Sequence, residues 1–131
     1  MKLVWRAALT SLLIVSFVAA TAEAGNVTKV TTHTKIKLSD TSIKKGDDLF
    51  IVGRIRSANP KCYINRVVQL FFNGDKVASS ATDSNGKAYF KRNPNKTGKW
   101  QTKFGGAKFK VHPDRFYCLP SHSKKRTVTV S

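Results

Sequence analysis

The chain has few acidic side chains: 7 Asp and Glu residues stand against 24 Lys and Arg residues. Glycoside hydrolysis needs a pair of suitably placed carboxylates, and no pair stands out among the acidic residues for that chemistry. Asp47 and Asp48 are neighbours, but the segment around them supplies too few oxygens for a calcium site. The shortage of acids leaves a strong positive charge, and we expect acidic polymers to attract the chain at low salt.

The chain also has little apolar sequence of the kind that spans membranes. The one long apolar run, Ala7 to Ala20, follows the basic residues Lys2 and Arg6 and precedes the small-residue motif Ala22-Glu23-Ala24. This order predicts a signal peptide over residues 1–24, cleaved after Ala24. The alternative, an uncleaved anchor, is disfavoured because the run is too short to cross a bilayer comfortably. We therefore expect a secreted, extracellular protein without a transmembrane segment in its mature part.

The predicted mature domain, residues 25–131, is strongly basic. Without Lys2, Arg6 and Glu23, the 24 basic and 7 acidic residues of the chain become 22 and 6, a net charge of +16. Sixteen of these 22 cations are Lys, a mobile point charge, whereas Arg makes a fixed two-pronged contact. Diffuse attraction is therefore favoured over recognition of one particular anion. The alternative is that the charge has no binding role in a highly charged, secreted domain.

Cysteine is scarce, with only Cys62 and Cys118 in the chain. An even number of cysteines in an exported chain favours a disulfide, worth about 4 kcal/mol in the chain-entropy model. The alternative is a metal site, since His112 and His122 flank Cys118. However, the chain has no C-x-x-C pair and its spacing fits no zinc module. We expect one disulfide, no metal and no cofactor.

The mature sequence has no helical period; it has alternation of apolar and polar residues, which predicts strands. Seven strands are predicted, over residues 28–38, 49–56, 67–72, 76–82, 87–92, 99–104 and 125–130. Asn73-Gly74 predicts a two-residue type I′ hairpin turn, and Asp83-Ser84-Asn85-Gly86 a second tight turn. Gly53 falls on an inward position, which indicates a bulge or the close approach of a neighbouring side chain. Residues 112–123 are predicted to form a loop that holds Cys118.

About seven short strands separated by turns predict an all-β fold, a two-sheet antiparallel sandwich in Greek-key order. Cys62 follows the second predicted strand, and Cys118 precedes the last one. In Greek-key order, these two connections can meet at one end of the sandwich. We therefore expect the disulfide to tie two end loops together.

Several groups of residues occur in an order that resembles small exported bacterial immunoglobulin-like domains, common in actinobacteria, and their carboxypeptidase-regulatory-like relatives. These groups are Gly53-Arg54-Ile55-Arg56-Ser57, Cys62, Arg66-Val67-Val68-Gln69-Leu70-Phe71, Thr82-Asp83-Ser84-Asn85-Gly86, Gly98-Lys99-Trp100 and Cys118-Leu119-Pro120-Ser121. The resemblance covers about Val30 to Val130. It implies an immunoglobulin-like fold without catalytic activity, and it names no ligand. One departure is Ala88, where a bulkier aromatic is usual and for which Tyr89 or Phe90 would compensate.

Positive charge alternates with aromatic residues in the last third of the chain, a mixture that suits acidic polymers, sugars or bases when it is exposed. The candidate contact residues for an anionic partner are Lys61, Arg115, Phe116, Tyr117, Lys124 and Lys125. The competing interpretation places aromatic rings in the core; it is favoured for Trp100 and Phe104 and evenly balanced for Phe116 and Tyr117.

The expected partner is an anionic polymer or a component of the cell envelope. Teichoic acid, an acidic polysaccharide, extracellular DNA and a lipid surface all fit, and any binding of nucleic acid would be non-specific. One alternative function is an OB-type nucleic-acid-binding barrel, which a closed five-stranded barrel would support. Another is a small hydrolase that uses His122 with Ser121 or Ser123, although neighbours on an extended segment point in opposite directions.

Overall fold

A computed structural model describes residues 25–131, so the predicted signal peptide and its cleavage site after Ala24 lie outside the described residues. The strands are β1 (Val27–Val30), β2 (Thr32–Leu38), β3 (Ser42–Ile43), β4 (Leu49–Ser57), β5 (Val67–Phe72), β6 (Asp75–Ala81), β7 (Lys87–Arg92), β8 (Gly98–Phe104), β9 (Ala107–Val111), β10 (Asp114–Cys118), β11 (Ser121–His122) and β12 (Arg126–Val130). A short 3₁₀ helix, Pro60–Cys62, lies between β4 and β5. Within residues 25–131, no helix has the length and apolar character needed to cross a membrane.

The seven predicted strands form two sheets that face each other. One sheet has the order β2-β4-β7, and the other has the order β3-β12-β8-β5-β6, with β11 pairing to β8. The chain passes from one of these sheets to the other after β2, β3, β4, β6 and β7, which is a Greek-key arrangement. This is an immunoglobulin-like β-sandwich, and the predicted fold class is confirmed. The OB-type alternative is wrong, because the described strands form two stacked sheets and not a closed five-stranded barrel.

The hydrophobic core lies between the two sheets. Alternation along β4 buries Leu49, Ile51 and Ile55 and leaves their neighbours at the surface. Gly53 continues this inward row, and a Cβ atom there would lie 2.8 Å from Cγ1 of Val68 in the facing sheet. The close approach predicted at Gly53 is therefore confirmed. It lets the backbone of β4 come nearer to β5 than a larger residue would allow.

The buried side of β7 shows how the core tolerates a small residue. Ala88 is fully buried and lies directly opposite Gly53. Phe90 also faces the core, whereas Tyr89 is 59% exposed on the outer face of the sheet. Phe90 therefore supplies the inward aromatic ring that Ala88 lacks.

Both predicted turns are confirmed. Asn73 and Gly74 have φ angles of 50° and 87°, and a type I′ turn requires positive φ at both positions. In the second turn, the Oδ1 atom of Asp83 accepts hydrogen bonds from the backbone N–H of Asn85 at 2.8 Å and of Lys87 at 3.0 Å. Gly86 follows at a φ of 77°, a conformation that favours glycine.

A third sheet, with the order β1-β10-β9, is joined to the sandwich by the Cys62–Cys118 disulfide. The bridge links the 3₁₀ helix to the last residue of β10, and both cysteines are buried. The predicted disulfide is confirmed. Its position differs from the prediction at one end, because Cys118 lies in a strand and not in a loop.

Two of the differences from the sequence-based assignment involve strands of the third sheet. The predicted strand 28–38 is divided at Thr31: β1 pairs in parallel with β10, and β2 pairs with β4. The predicted loop 112–123 contains β10 and β11, and His112 and Pro113 form the turn between β9 and β10. For β1 the missing information is its pairing partner, β10, which lies far away in the sequence, whereas β10 also forms a hairpin with its neighbour β9.

Candidate functional site

The six predicted contact residues belong to three segments of the chain. Lys61 belongs to the 3₁₀ helix, and Lys124 and Lys125 follow β11. Arg115, Phe116 and Tyr117 are in β10, so the assignment of these residues to a loop is wrong. Because successive side chains of a strand point to opposite faces, Phe116 faces away from both Arg115 and Tyr117.

The aromatic rings of the third sheet are stacked on the protein's own groups. The Phe116 and Phe109 rings are paired in register and stack, with centroids 4.8 Å apart and an interplanar angle of 5°. Nζ of Lys61 lies 5.5 Å from the centroid of Phe109, and Nζ of Lys108 lies 5.3 Å from the centroid of Tyr117. The first of these cation–π contacts places Lys61 against the third sheet, and the second lies within that sheet. The contact of the predicted residues with an anionic partner stays a prediction.

Lys124 lines an open groove of about 1050 Å³ between β2 and the connection from β11 to β12. We call this the basic groove. Its charged and titratable lining residues are His33, Lys35, Arg56, His122, Lys124 and Arg126. Among the described residues that line it, every charged side chain is basic. The groove therefore offers a concave surface of one sign, which attracts anions more strongly than the same charges on an open surface.

Pairing between β2 and β4 builds one wall of the groove. Thr32 and Thr34 face inward and are buried, so the alternating positions His33 and Lys35 are exposed. Arg56 lies directly opposite His33 on β4. These three side chains therefore project from one face of the sheet at its edge.

Hydroxyl groups hold the two walls together. The Ser121 hydroxyl forms hydrogen bonds of 2.7 Å with the hydroxyls of both Thr32 and Thr34. Thr32 also donates from Oγ1 to the carbonyl oxygen of Leu119 at 2.6 Å. Because these bonds join β11 to the edge of β2, they fix the spacing between the cations on the two sides.

The hydroxyls beside His122 are engaged in structural bonds. Ser121 binds the two threonines, and Oγ of Ser123 accepts a hydrogen bond from the backbone N–H of Thr102 at 2.9 Å. Nδ1 of His122 lies 3.1 Å from the carbonyl oxygen of Ser123 and 3.3 Å from Nε2 of Gln101. A serine nucleophile needs a hydrogen bond to its base, and in the described part of the chain none joins His122 to either hydroxyl.

The alternative of a metal site around Cys118 is excluded by the state of that cysteine. Cys118 is bonded to Cys62, so it offers no thiolate to a metal. Asp48, a residue of the calcium alternative, forms an ion pair of 3.5 Å with Lys91. Over residues 25–131, no cluster of three or more His, Cys, Asp or Glu side chains is placed to hold a metal ion.

No protein-family model matches the chain, and no curated protein sequence is similar to it. Among solved structures, the chain is similar to the sulfur carrier protein SoxY from Chlorobium limicola f thiosulfatophilum. The two share 13% sequence identity over 90% of this chain and 96% of that chain, with a TM-score of 0.44. A similarity of this degree carries no functional inference.

Sequence reasoning identified Lys124 as a contact residue but missed His33, Lys35, Arg56 and Arg126. The cations of β2 and β4 alternate with inward residues as they would on any solvated face of a strand. The groove appears only when β2, β4 and β12 are brought together. A sequence signal does exist: the first two predicted strands, which correspond to β2 and β4, both carry cations at their outward positions.

Proposed function

We propose that the protein is an exported, non-catalytic immunoglobulin-like domain that binds an anionic polymer along its basic groove. The resemblance to small exported bacterial immunoglobulin-like domains and carboxypeptidase-regulatory-like domains supports the fold and the absence of catalysis, and it does not bear on the ligand. The observation that carries this proposal is the lining of the groove. Two Lys, two Arg and two His side chains surround one concave space, and they come from β2, β4, β11, the connection after β11 and the start of β12.

The charge of the whole domain supports the same partner. At a net charge of +16, a polyanion is attracted from any direction and is retained where the local cation density is greatest. The groove is open, so a chain longer than the groove can pass through it. Binding of this kind releases counter-ions and therefore weakens steeply as salt is added.

Export is supported by the disulfide. Cys62 and Cys118 are bonded, and disulfides form and persist in oxidising surroundings such as the cell exterior. The predicted signal peptide agrees with this location. The proposal therefore places the anionic partner at the cell envelope or outside the cell.

The experiment is a binding series with residues 25–131 and a set of named polymers. Teichoic acid, a polyuronic acid and single-stranded DNA serve as anionic probes, and dextran serves as the neutral probe. We expect affinity for the anionic probes to fall linearly on a log–log plot against salt, and dextran not to bind. Affinity that does not change with salt would contradict the electrostatic mechanism.

A matched pair of variants locates the contact. Lys124→Gln with Arg126→Gln removes two groove cations, and Lys44→Gln with Lys45→Gln removes the same charge from an exposed connection outside the groove. If the groove holds the polymer, the first variant reduces the salt slope by about 2, or about one per lost contact, while the control keeps the slope. Equal losses in both variants would show that only net charge matters and would reject the groove as the site.

A further inference from the structure

A second surface, away from the floor of the groove, combines exposed aromatic rings with cations. On the outer face of the β2-β4-β7 sheet, Phe50 is 52% exposed and Tyr89 is 59% exposed. Val52 lies directly opposite Tyr89 and two positions along β4 from Phe50, so the three side chains share one face. We call this patch, with the cations around it, the aromatic face.

Cations surround the three apolar residues. They are Lys37 opposite Val52, Lys91 opposite Phe50, and Arg54 and Lys87 in the next register row. Same-face positions lie about 7 Å apart along a strand and about 5 Å apart across strands, so these charges form a dense array. Lys35 continues the row of Arg54 at the border with the basic groove.

Three of these cations stand side by side in one register row, Lys35–Arg54–Lys87. Like charges directly opposite each other destabilise a sheet. The carboxylates nearest the face are engaged at its rim: Asp48 forms an ion pair with Lys91, and Asp83 accepts a hydrogen bond from the Tyr89 hydroxyl at 3.3 Å. Asp83 also attracts Lys87 from the rim, and an anionic surface would relieve the repulsion that remains along the row.

We propose that the aromatic face docks on a bilayer that contains anionic phospholipids. A three-stranded sheet presents a broad face, which matches a plane better than it matches a single chain. Aromatic rings favour the interface between headgroups and acyl chains, and Lys and Arg bind the negative headgroups around them. Phe50 and Tyr89 would enter the interface while Lys37, Arg54, Lys87 and Lys91 contact phosphates.

The other occupants fit less well. A soluble polyanion would bind the cations but leave the rings of Phe50 and Tyr89 in water. A second copy of the chain would cover the rings but would bring two faces of the same positive sign together. A membrane satisfies both features at once, because it is anionic at its surface and apolar below it.

The test uses residues 25–131 and sedimentation with two kinds of vesicle. One kind is pure phosphatidylcholine, and the other contains equal parts of phosphatidylcholine and phosphatidylglycerol. We expect binding to the anionic vesicles only, decreasing as salt is added. Equal binding to both vesicles, or binding to neither, would overturn the proposal.

The apolar contribution is isolated by a pair of variants at exposed strand positions. Phe50→Thr with Tyr89→Thr keeps the charge and a residue suited to strands, and Val27→Thr with Val111→Thr removes exposed apolar residues from the third sheet as the control. From the area of each exposed ring, we expect the first pair to weaken binding to anionic vesicles on the order of tenfold per ring. The control pair should leave vesicle binding unchanged. Equal vesicle binding by all three proteins would reject docking through this face.

Two further readouts separate this proposal from the polymer-binding function. The Phe50→Thr and Tyr89→Thr protein should bind teichoic acid as the unaltered domain does; a parallel loss would mean that the face binds the polymer instead of the membrane. A Phe50→Trp protein should be quenched by lipids brominated on their acyl chains, whereas Trp100 is only 3% exposed and would contribute little. Absence of quenching in a vesicle-bound sample would exclude insertion of the ring.

Discussion

Gly53 lies on the inward side of β4, where side chains of the facing sheet approach the backbone closely. A Cβ atom at this position would be 2.8 Å from Cγ1 of Val68 and 3.1 Å from Cγ2 of Thr102. Both neighbours are fully buried, so neither can move aside into solvent. Alternation along β4 predicts that this glycine faces inward; the identity of the atoms it meets requires the facing sheet.

We expect Gly53→Ala to lower the free energy of unfolding by about 1–3 kcal/mol, because overpacking forces neighbouring side chains and backbone to shift. The measurement is urea unfolding of residues 25–131. Gly105→Ala is the control, since a Cβ there would have no atom within 4 Å. A Gly53→Ala protein as stable as the Gly105→Ala protein would show that the sheets can separate without cost.

At the scale of elements, the turn between β6 and β7 depends on one carboxylate. Asp83 accepts hydrogen bonds from two backbone N–H groups and from the Tyr89 hydroxyl. The backbone N–H of Lys87 is the main cause that holds the pKa of Asp83 below its ordinary value, against a smaller opposing effect of burial. Burial of the Tyr89 hydroxyl, followed by the charge and the hydrogen bond of Asp83, raises the pKa of Tyr89.

Ionised Asp83 should therefore stabilise the fold at neutral pH. A pKa that is lower in the folded than in the unfolded state gives stability above the unfolded value, lost as pH falls through the folded value. We expect Asp83→Asn to lower the urea midpoint at pH 7, and the difference from the unaltered domain to shrink below about pH 4. A difference of the same size at low pH would mean that the charge of Asp83 plays no part.

The elements that the sequence predicts well are those with local signals. Alternation locates the core strands, and Asn73-Gly74 locates a hairpin from two residues alone. β10 is missed because Phe116 and Tyr117 place aromatic rings on both of its faces, which hides the alternation. β1 is missed because the alternation of β2 continues backwards through Thr31, although the chain changes its pairing partner there.

Only the positive charge of the candidate site is predictable from the sequence, and its position in the fold is not. Composition predicts an anionic partner, and Lys124, one of the predicted contact residues, lines the basic groove. The positions of Lys35, Arg56 and Arg126 in one groove depend on three strands that are separated along the chain. Their convergence is a property of the Greek-key order, and no local pattern contains it.

For the whole molecule, the disulfide connects the third sheet to the sandwich. Cys62 and Cys118 are 56 positions apart in sequence, and both are buried. A bridge over so long a segment restricts the unfolded chain strongly, which is its main stabilising effect in the chain-entropy model. Phe109 and Phe116 stack in the sheet that the bridge holds in place.

We expect Cys62→Ala with Cys118→Ala to lower the free energy of unfolding by about 2–5 kcal/mol. Urea unfolding followed by circular dichroism measures the change. The control is the unaltered domain treated with a reductant, which should unfold at a similar urea concentration to the double variant. An unchanged midpoint for the double variant would show that sheet pairing alone holds β10 in place.

The same bridge changes what a single proteolytic cut can do. Five complete strands, β5 to β9, and most of β10 lie between the two cysteines, together with the exposed residues Asn95, Lys96 and Thr97. A protease that cleaved there would leave two pieces still joined by a covalent bond and by the ladder between β5 and β8. Release of a fragment would need a second event, the opening of the bridge by a reductant, so the chain can be nicked in this segment and still remain one particle.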